Sequence, residues 1–577
     1  MEYSADIKRP VRHFLPESFA VTDWDHLEPF FKDLATREIS SVEQLEKWLH
    51  DSSELDAVIS EDVCWRQVHM TCDTENKALE EAFVYFMREI QPKMQPFADQ
   101  MNRKLLDNQF TAQLDQDKYF TYLRNVKKSI RLFRPENIPL LSELAILGQQ
   151  YGVILGKMTV TVNGNEYTLQ QAAKFLKEPD RDLREEVFRK IQERRLANKD
   201  QLNELYSTLI AKRDQLARNA GFDNYRDYKF VELGRFDYSK EDCFHFHDAV
   251  RIHVMPLVNR IAEHQRKKLG LETLRPWDGE AEPPGAEPLH PFRTGSELLD
   301  KSIACFRKLE PFFADCLVAM RKMNRLDLES RKGKAPGGYS CPMAETGAPF
   351  IFMNAAGQMG DLTTMVHEGG HAIQSFLTHP LELNAFKDYP MEIAEVASMA
   401  MELFSMDYWD VFFDDPRELL RAREYQLERV ITVFPWIATI DKFQHWVYEN
   451  PAHTADQRKD RWMEITTEFS SPLVDWSGLE GYRHYSWQRQ LHLFEVPFYY
   501  IEYGIAQLGA IGLWMQFRRE PKKALENYVR ALSLGGTRTL PDLYRAAGLR
   551  FDFSTEHIRE LMDFVGEEME KIYLRVA

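Results

Sequence analysis

The sequence has few cysteines and no long apolar run. Its six cysteines are scattered over 577 residues without a CxxC pair, so neither a disulfide framework nor a zinc–thiolate site is predicted. The longest apolar stretches, such as residues 508–517, are too short to cross a bilayer, and the charged start lacks the apolar segment of a secretory signal. We therefore expect reduced thiols, no membrane contact and a cytoplasmic protein.

Positive charge is also scarce, because 73 lysines and arginines face 90 acidic residues and the formal net charge is -17. Binding to a phosphate backbone needs a clustered basic surface, so nucleic acid is not an expected partner. The chain is 44% hydrophobic, which at this length allows a large core and a deep substrate cleft. Composition alone leaves the oligomeric state open.

Most of the sequence follows the 3.6-residue apolar period of amphipathic helices. Leu202, Leu205, Leu209 and Leu216, for example, fall on one face between charged residues. Ser41, with Gln44 three residues later, predicts the start of another helix. The first 150 residues are predicted as a helical unit. We place the boundary of an N-terminal helical subdomain at residue 180, with residues 181–577 as a second, larger domain.

Three segments interrupt the helical pattern. Residues 158–169 alternate around Asn163-Gly164, which predicts a tight hairpin. Residues 275–294 are rich in proline and glycine and are predicted to be an irregular surface loop. The glycine-rich stretch 336–361 surrounds the apolar run Phe350–Met353, a predicted strand. Its free edge could pair with an extended peptide, or the strand could be a buried edge strand that packs the site.

The segment LTTMVHEGGHAIQSFL contains an HExxH motif, in which His367 and His371 share one helix face. Two imidazoles at this spacing can bind one metal ion, and Glu368 between them can reach a water without ligating the metal. Two consecutive glycines, Gly369 and Gly370, would each cost about 1 kcal/mol in a helix interior relative to alanine. Close packing of another backbone is the better explanation for them.

A catalytic zinc site takes three protein ligands, so HExxH predicts a third one elsewhere. The candidate is Glu395, 24 residues after His371 in YPMEIAEVASMAMELF. There it lies among apolar residues of a predicted buried helix, where a carboxylate needs a partner. Glu392, one turn earlier, is a candidate hydrogen-bond acceptor for a ligand imidazole or an ordinary solvated glutamate.

These motifs together resemble the oligoendopeptidase F and Pz-peptidase branch of the thimet oligopeptidase family. The resemblance is carried by HExxH followed by AEVAS, by the preceding APGGYSCP and GAPFIFMN, and by HLFEVPFYYIEYGIAQLGA further on. It covers about residues 180–577. In this family His367, His371 and Glu395 would hold one zinc ion and Glu368 would be the catalytic base. Gly369 replaces a bulky residue of many relatives, which predicts looser packing behind the metal.

The resemblance implies a mainly α fold: an elongated helical metallopeptidase body with a deep central channel and a small β-sheet beside the HExxH helix. Residues 181–577 would be the catalytic metallopeptidase domain, and the substrates short unstructured peptides. The family also places a histidine and tyrosines late in the chain, where they stabilise the oxyanion. The matching segment contains His492, Tyr503, and either Tyr499 or Tyr500. Spacing alone leaves the choice between the last two open.

The predicted reaction is hydrolysis of an internal peptide bond by zinc-activated water, with Glu368 as general base. Two alternatives remain. One is a zinc exopeptidase, carboxypeptidase- or dipeptidase-like, on the same scaffold; the other is a non-catalytic peptide-binding protein, against which the intact Glu368 argues. Cys341 is expected to be a small buried thiol without a role. His379, His484 and the remaining histidines lack helical partners at ligand spacing and are expected to be ordinary surface or core residues.

Overall fold

The computed structural model describes residues 4–283 and 285–576 and is mainly α, with two small sheets in the described part. The helices from the N-terminus to the middle of the chain are α1 Trp24–Thr36, α2 Val42–Cys72, α3 Lys77–Tyr85, α4 Gln91–Asp107, α5 Gln116–Leu132, α6 Asn137–Gly156, α7 Leu169–Ala172, α8 Arg181–Leu196, α9 Lys199–Asn219, α10 Tyr225–Glu232, α11 Lys240–Ala249, α12 Met255–Lys268, α13 Gly295–Leu309 and α14 Pro311–Lys322. Single π-helical turns, Phe86–Ile90 and Val250–Val254, join α3 to α4 and α11 to α12.

The remaining helices are α15 Met359–Thr378, α16 Met391–Ser405, α17 Pro416–Glu449, α18 Ala455–Glu468, α19 Glu480–Arg483, α20 Leu491–Phe494, α21 Tyr500–Arg519, α22 Pro521–Leu532, α23 Leu540–Ala546 and α24 Thr555–Val576. The strands are β1 Thr159–Val162, β2 Asn165–Thr168, β3 Leu326–Glu329, β4 Tyr339–Cys341 and β5 Phe350–Ala355. The predicted fold class is confirmed, as are the helical N-terminal residues and the irregular segment between α12 and α13.

The predicted hairpin is formed by β1 and β2, which pair antiparallel from Thr159–Thr168 to Val162–Asn165. Asn163 and Gly164 have φ angles of 50° and 79°. Positive φ at both central residues is what a two-residue turn of this kind requires, and asparagine and glycine tolerate it. The hairpin packs against α7 and against α8, which is the first helix of the larger predicted domain.

The core of the larger part is built around α16, which packs against both α15 and α21. Long amphipathic helices can bury both faces only when they lie inside such a bundle, and α16 is buried along nearly its whole length. The N-terminal helices α1, α2, α4 and α5 enclose a separate apolar core, to which Leu383 and Phe386 from the larger predicted domain contribute. The helices that carry the HExxH motif and Glu395 are therefore adjacent inside the main core.

The strand predicted from Phe350–Met353 is present as β5, but its backbone edges are not free. It lies in the centre of a three-stranded sheet, parallel to β3 and antiparallel to β4. The prediction that β5 offers an edge to a peptide is therefore wrong. Within the described residues, the outer strands β3 and β4 each pair on one edge only, so each leaves the other edge open.

Cys64 and Cys341 form a disulfide bond between α2 and β4, with a Cα–Cα distance of 6.3 Å. The expectation of six reduced thiols, and of Cys341 as an unlinked buried thiol, is wrong in this structure. The two residues are separated by 277 positions. A contact that joins elements so distant in sequence leaves no spacing pattern from which it could be predicted. The bridge ties an N-terminal helix to the sheet beside the HExxH helix.

Helix α6 is an exception to the expectation that no apolar stretch is long enough to span a membrane. Helix α6 has 20 residues and is apolar enough by length and composition, and 17% of its most apolar window is buried. One side of it packs on α9, and the ring of Tyr151 stacks on Phe494 at 4.2 Å. Elsewhere on its surface the helix exposes Leu141, Ile146 and Val153.

Candidate metal centre and catalytic site

Helix α15 brings the two histidines of the HExxH motif together. Its apolar residues face the core, and its first turn is closed by Asp361, whose carboxylate accepts hydrogen bonds from the backbone N–H groups of Ala356 and Gln358 at 2.8 and 2.9 Å. His367 and His371 lie one helical turn apart, with ring centroids separated by 5.0 Å at an interplanar angle of 85°. Their side chains are 21% and 19% exposed. The pair is therefore open to solvent on one side only.

Glycine allows α16 to approach this helix closely enough to supply the third predicted ligand. A Cβ atom at Gly370 would lie 2.4 Å from the carbonyl oxygen of Ala397 and 2.6 Å from Cα of Ser398. No other residue fits there without moving the backbone of α16. Glu395 is one turn before these contacts and faces the histidines. The predicted close packing of another backbone is thus confirmed for Gly370.

The other glycine of the pair, Gly369, is covered by a side chain instead of a backbone. A Cβ at this position would lie 2.7 Å from Cζ of Phe306 on α13. The benzyl group occupies the space that a bulky residue at position 369 would fill. The expectation of looser packing behind the metal ligands is therefore wrong, because a ring from another helix compensates for the missing side chain.

The three predicted ligands converge on one point. The Nε2 atoms of His367 and His371 lie 3.4 and 3.7 Å from Oε2 of Glu395, and one ligand atom from each residue lies within 4.8 Å of the others. Burial alone would raise the pKa of Glu395, but its hydrogen bonds with His367 and Ser398 and the nearby His371 hold it at about 2. A buried ionised carboxylate beside two imidazoles fits the donor set of a zinc ion with an open position.

The two imidazoles differ in protonation when no ion is bound. Burial lowers the pKa of His371 to about 4, so this ring is neutral near pH 7 and can donate a lone pair to a metal. Burial also opposes the charge on His367, but its carboxylate partners Glu395 and Glu402 outweigh burial and raise the pKa of this ring. Binding of a cation at Nε2 of His367 must therefore release a proton.

Glu402 orients the first ligand histidine. Its Oε1 accepts a hydrogen bond of 2.7 Å from Nδ1 of His367, and its Oε2 accepts one of 2.7 Å from Gln426. The carboxylate fixes the proton on Nδ1 and leaves Nε2 for the metal. Glu392, the predicted acceptor, instead bonds to the hydroxyl of Tyr238 at 2.7 Å. The prediction that Glu392 orients a ligand imidazole is therefore wrong. Glu402 does so instead, because residues seven positions apart lie on one face of a helix and Glu402 follows Glu395 by seven.

Glu368 lies beside the ligands without being one of them. Its side chain is buried, and its Oε2 has no hydrogen-bond partner in the described part of the chain. Burial raises its pKa to about 7, opposed by the neighbouring His367 and by the backbone N–H of Ser340 in β4. A bound divalent cation would lower this pKa again. A carboxylate with a free oxygen in such a position can accept a proton from a water molecule.

The late histidine and tyrosines form one cluster at the beginning of α21. Ring centroids of Tyr499, Tyr500 and Tyr503 lie 5.9, 4.7 and 6.1 Å from that of His492. The hydroxyl of Tyr499 donates to Oε1 of the predicted ligand Glu395 at 3.3 Å. Among these rings, the geometry therefore favours Tyr499 over Tyr500 as the tyrosine nearest the metal ligands.

The tautomer of His492 follows from a chain of hydrogen bonds that the sequence did not indicate. The indole N–H of Trp436 donates to Oε1 of Gln490 at 2.7 Å. The amide nitrogen of Gln490 must then face Nδ1 of His492, at 2.6 Å, and donate to it. Burial lowers the pKa of His492 to about 4. The ring is therefore neutral near pH 7 and carries its proton on Nε2, from which it can donate to an oxyanion.

A strained residue sets the direction in which α21 begins. Phe498 has a φ angle of 65° although it is not glycine, a conformation that costs of order 1–3 kcal/mol. Its backbone N–H donates to Oε1 of Gln444 at 2.6 Å, and its carbonyl accepts a hydrogen bond from Arg235. These two buried side chains hold the residue that precedes Tyr499, and so position the tyrosine.

Fold and site together have the organisation of the helical HExxH metallopeptidases. Residues 174–563 match Peptidase family M3, and residues 14–133 match the Peptidase M3 N-terminal domain. The chain belongs to peptidase family M3.

Individual relatives agree with this assignment. Oligopeptidase PepF of Bacillus subtilis (strain 168) is 24% identical over 427 residues, which cover 72% of this chain and 61% of the relative. The oligoendopeptidase F homolog of Lactococcus lactis subsp. lactis (strain IL1403) is 24% identical over 345 residues, 56% of this chain and 54% of the relative. The chain thus spans between half and two thirds of the length of these curated relatives.

Solved structures extend the similarity to nearly the whole chain. Pz peptidase A, solved with an inhibitor, has a TM-score of 0.89 and 26% identity over 96% of this chain and 99% of its own. Oligoendopeptidase F from Enterococcus faecium has a TM-score of 0.65 at 15% identity, over 96% of this chain and 98% of its own. The second likeness concerns the fold alone.

Proposed function

We propose that this protein is a zinc-dependent oligoendopeptidase that hydrolyses internal bonds of short unstructured peptides in the cytoplasm. The observation that carries the proposal is the convergence of His367, His371 and Glu395 beside Glu368, whose buried Oε2 has no partner in the described residues. The names of the relatives, oligopeptidase and oligoendopeptidase F, support the same reaction class. A purely peptide-binding protein would not need a buried, unpartnered carboxylate at this place.

One zinc ion would be held by His367, His371 and Glu395. It would supply Lewis-acid polarisation of the scissile carbonyl and would make a nearby water more acidic. Glu368 takes the proton of the attacking water and delivers it to the leaving amine. His492, through its Nε2–H, and a tyrosine hydroxyl, Tyr499 or Tyr503, donate to the oxyanion that develops on the carbonyl. The Glu402 carboxylate keeps the first ligand in its orientation throughout.

The limited exposure of the ligands supports a preference for extended peptides. About four fifths of each histidine side chain is buried, so a folded surface could not reach Nε2. β4 lies beside Glu368, which faces the backbone N–H of Ser340 in this strand, and the outer edge of β4 could pair with the backbone of an extended substrate, as in strand addition. Such pairing recognises the main chain of a peptide and leaves the termini unused, which favours cleavage within the chain.

The test is hydrolysis of an internally quenched peptide blocked at both ends, compared for wild type and Glu368→Gln, with the zinc content of both proteins measured. We expect the wild type to cut the blocked peptide and Glu368→Gln to retain zinc with its activity lost. Cleavage only of a peptide with a free end would establish the exopeptidase alternative. Full activity of Glu368→Gln would refute its role as base, and failure to cut either peptide would refute the proposed function.

A further inference from the structure

A second group of metal-binding side chains lies in the core, on α11 and α17. Cys243 and His247 are four residues apart on α11, and Asp441 and His445 are four residues apart on α17. Each pair therefore shares a helix face, and the two helices pack against each other. The expectation that the remaining histidines lack partners at ligand spacing is wrong for His247 and His445, because the partners at this spacing are a thiol and a carboxylate.

Three of these side chains converge on one point, and the fourth, that of His247, contacts one of the three. One ligand atom from each of Cys243, Asp441 and His445 lies within 4.8 Å of the others. Oδ2 of Asp441 is 2.8 Å from Nε2 of His247 and 3.3 Å from Nε2 of His445. The relative exposure of all four residues is between 0% and 2%. The convergent donor set has three members, as in the first site, and contains a sulfur atom, which the first site lacks.

Several polar atoms of the cluster have no hydrogen-bond partner in the residues that the structure describes. They include Nδ1 of His445, Nδ1 of His247 and Oδ1 of Asp441. The nearby cations are neutralised by other carboxylates, since Lys442 pairs with Glu468 at 2.6 Å and Arg235 pairs with Glu502 at 3.0 Å. Buried ring nitrogens and a buried carboxylate oxygen without partners are costly, and a bound ion would remove that cost.

A hydrogen-bonded core network without metal explains only part of this arrangement. The thiol of Cys243 donates to the carbonyl oxygen of Ser239 at 3.4 Å, and His247 bonds to Asp441. Nδ1 of His445 has no partner in this network, and the ring is enclosed by Phe244 and Phe498 at centroid distances of 4.9 and 5.4 Å. By contrast, the third candidate group of the chain, around Glu424, already contains the lysine Lys268 at 3.4 Å.

We propose that Cys243, Asp441 and His445 bind a second metal ion, with His247 as the residue that orients Asp441 or completes the set. A thiolate, an imidazole and a carboxylate suit zinc, and a closed, fully buried site of this kind is structural. Binding replaces the S–H bond of Cys243 by a sulfur–metal bond and releases the proton. The ion would clamp α11 to α17 one residue from Gln444, which holds Phe498 and thereby the beginning of α21.

The test uses the full-length protein, stripped with a chelator and reloaded with zinc or cobalt(II). We expect two equivalents of metal in the wild type and one in His371→Ala, which disrupts the first site but leaves this cluster intact. Cobalt bound here should give a near-ultraviolet thiolate-to-cobalt charge-transfer band in both proteins, since the first site has no sulfur ligand. One equivalent in the wild type, or no such band, would overturn the proposal.

Variants of the cluster locate the band. Cys243→Ser should lose both the band and one equivalent of metal while keeping the ion of the first site. Cys316→Ser, which changes another buried cysteine on α14 outside the cluster, should keep both. A band that persists in Cys243→Ser would overturn the assignment. Should Cys243→Ser fail to fold, the stoichiometry and spectrum of His371→Ala decide the question, and neither depends on peptidase activity.

Discussion

Replacement of Gly370 by alanine tests how α16 is positioned. The added methyl carbon would lie 2.4 Å from the carbonyl oxygen of Ala397 and 2.6 Å from Cα of Ser398. Carbon atoms pack best at about 3.5–4.0 Å, so α16 would have to retreat by about 1 Å. The obstacle is backbone, which cannot rotate away as a flexible side chain would. The carbonyl of Ala397 also accepts a hydrogen bond from Tyr528 at 2.7 Å, and this bond would be strained.

Overpacking of a well-packed core costs about 1–3 kcal/mol, and the rigid backbone contact places Gly370→Ala at the upper end. The gain in helix propensity of about 1 kcal/mol returns part of this cost. We expect the free energy of unfolding to fall by about 2 kcal/mol. The larger effect is on function, because Glu395 moves with α16, and a misplacement of about 1 Å in a catalytic site can lower the rate about 10²-fold.

The assay combines urea denaturation, zinc affinity by chelator competition, and kcat/KM on the blocked peptide. Gly360→Ala is the matched control on the same helix, since a Cβ there meets nothing within 4 Å. Its stability should be unchanged or higher by up to about 1 kcal/mol, and its activity unchanged. If Gly370→Ala keeps wild-type activity and loses less than about 0.5 kcal/mol, the contact with α16 does not position Glu395 as argued.

Three other predictions concern hydrogen bonds and thiols. Gln490→Leu removes the donor to Nδ1 of His492, so the ring proton can move from Nε2 to Nδ1, and kcat should fall about 10-fold or more with KM little changed. A wild-type kcat would contradict the assigned tautomer. Glu402→Gln should weaken zinc binding by about 10–100-fold in chelator competition, whereas Glu392→Gln should not, and equal losses would show that the effect is not specific to the ligand histidine. Thiol titration of the denatured, unreduced protein should find four reactive cysteines, and six would show that the bridge between α2 and β4 does not form.

The local parts of the site could be predicted from sequence because their chemistry depends on spacing. His367 and His371 at four residues, and the glycine pair that demands close packing, follow from helix geometry. Glu395 follows from the need of HExxH for a third ligand. These inferences use one helix at a time, and the structure brings all of these residues together.

The remaining features depend on contacts between distant segments, which a single sequence does not encode in a readable pattern. The choice of Glu402 over Glu392 depends on the rotation of α16 relative to α15. The hydrogen bonds that set the tautomer of His492 begin at Trp436, 54 residues before Gln490. Phe306 fills the space at Gly369 from a different helix. In each case the outcome depends on tertiary packing, and the helix propensity of the local sequence does not distinguish the alternatives.

The disulfide bond between Cys64 and Cys341 has a consequence for the response of the chain to proteases. The irregular, proline-rich segment between α12 and α13 lies between these two cysteines in the sequence, and segments of this kind are preferred sites of cleavage. A chain cut there would have Cys64 on one fragment and Cys341 on the other. The nicked protein would therefore remain one covalent molecule. On a denaturing gel it would migrate as a single species without reductant and would separate into two fragments only after reduction.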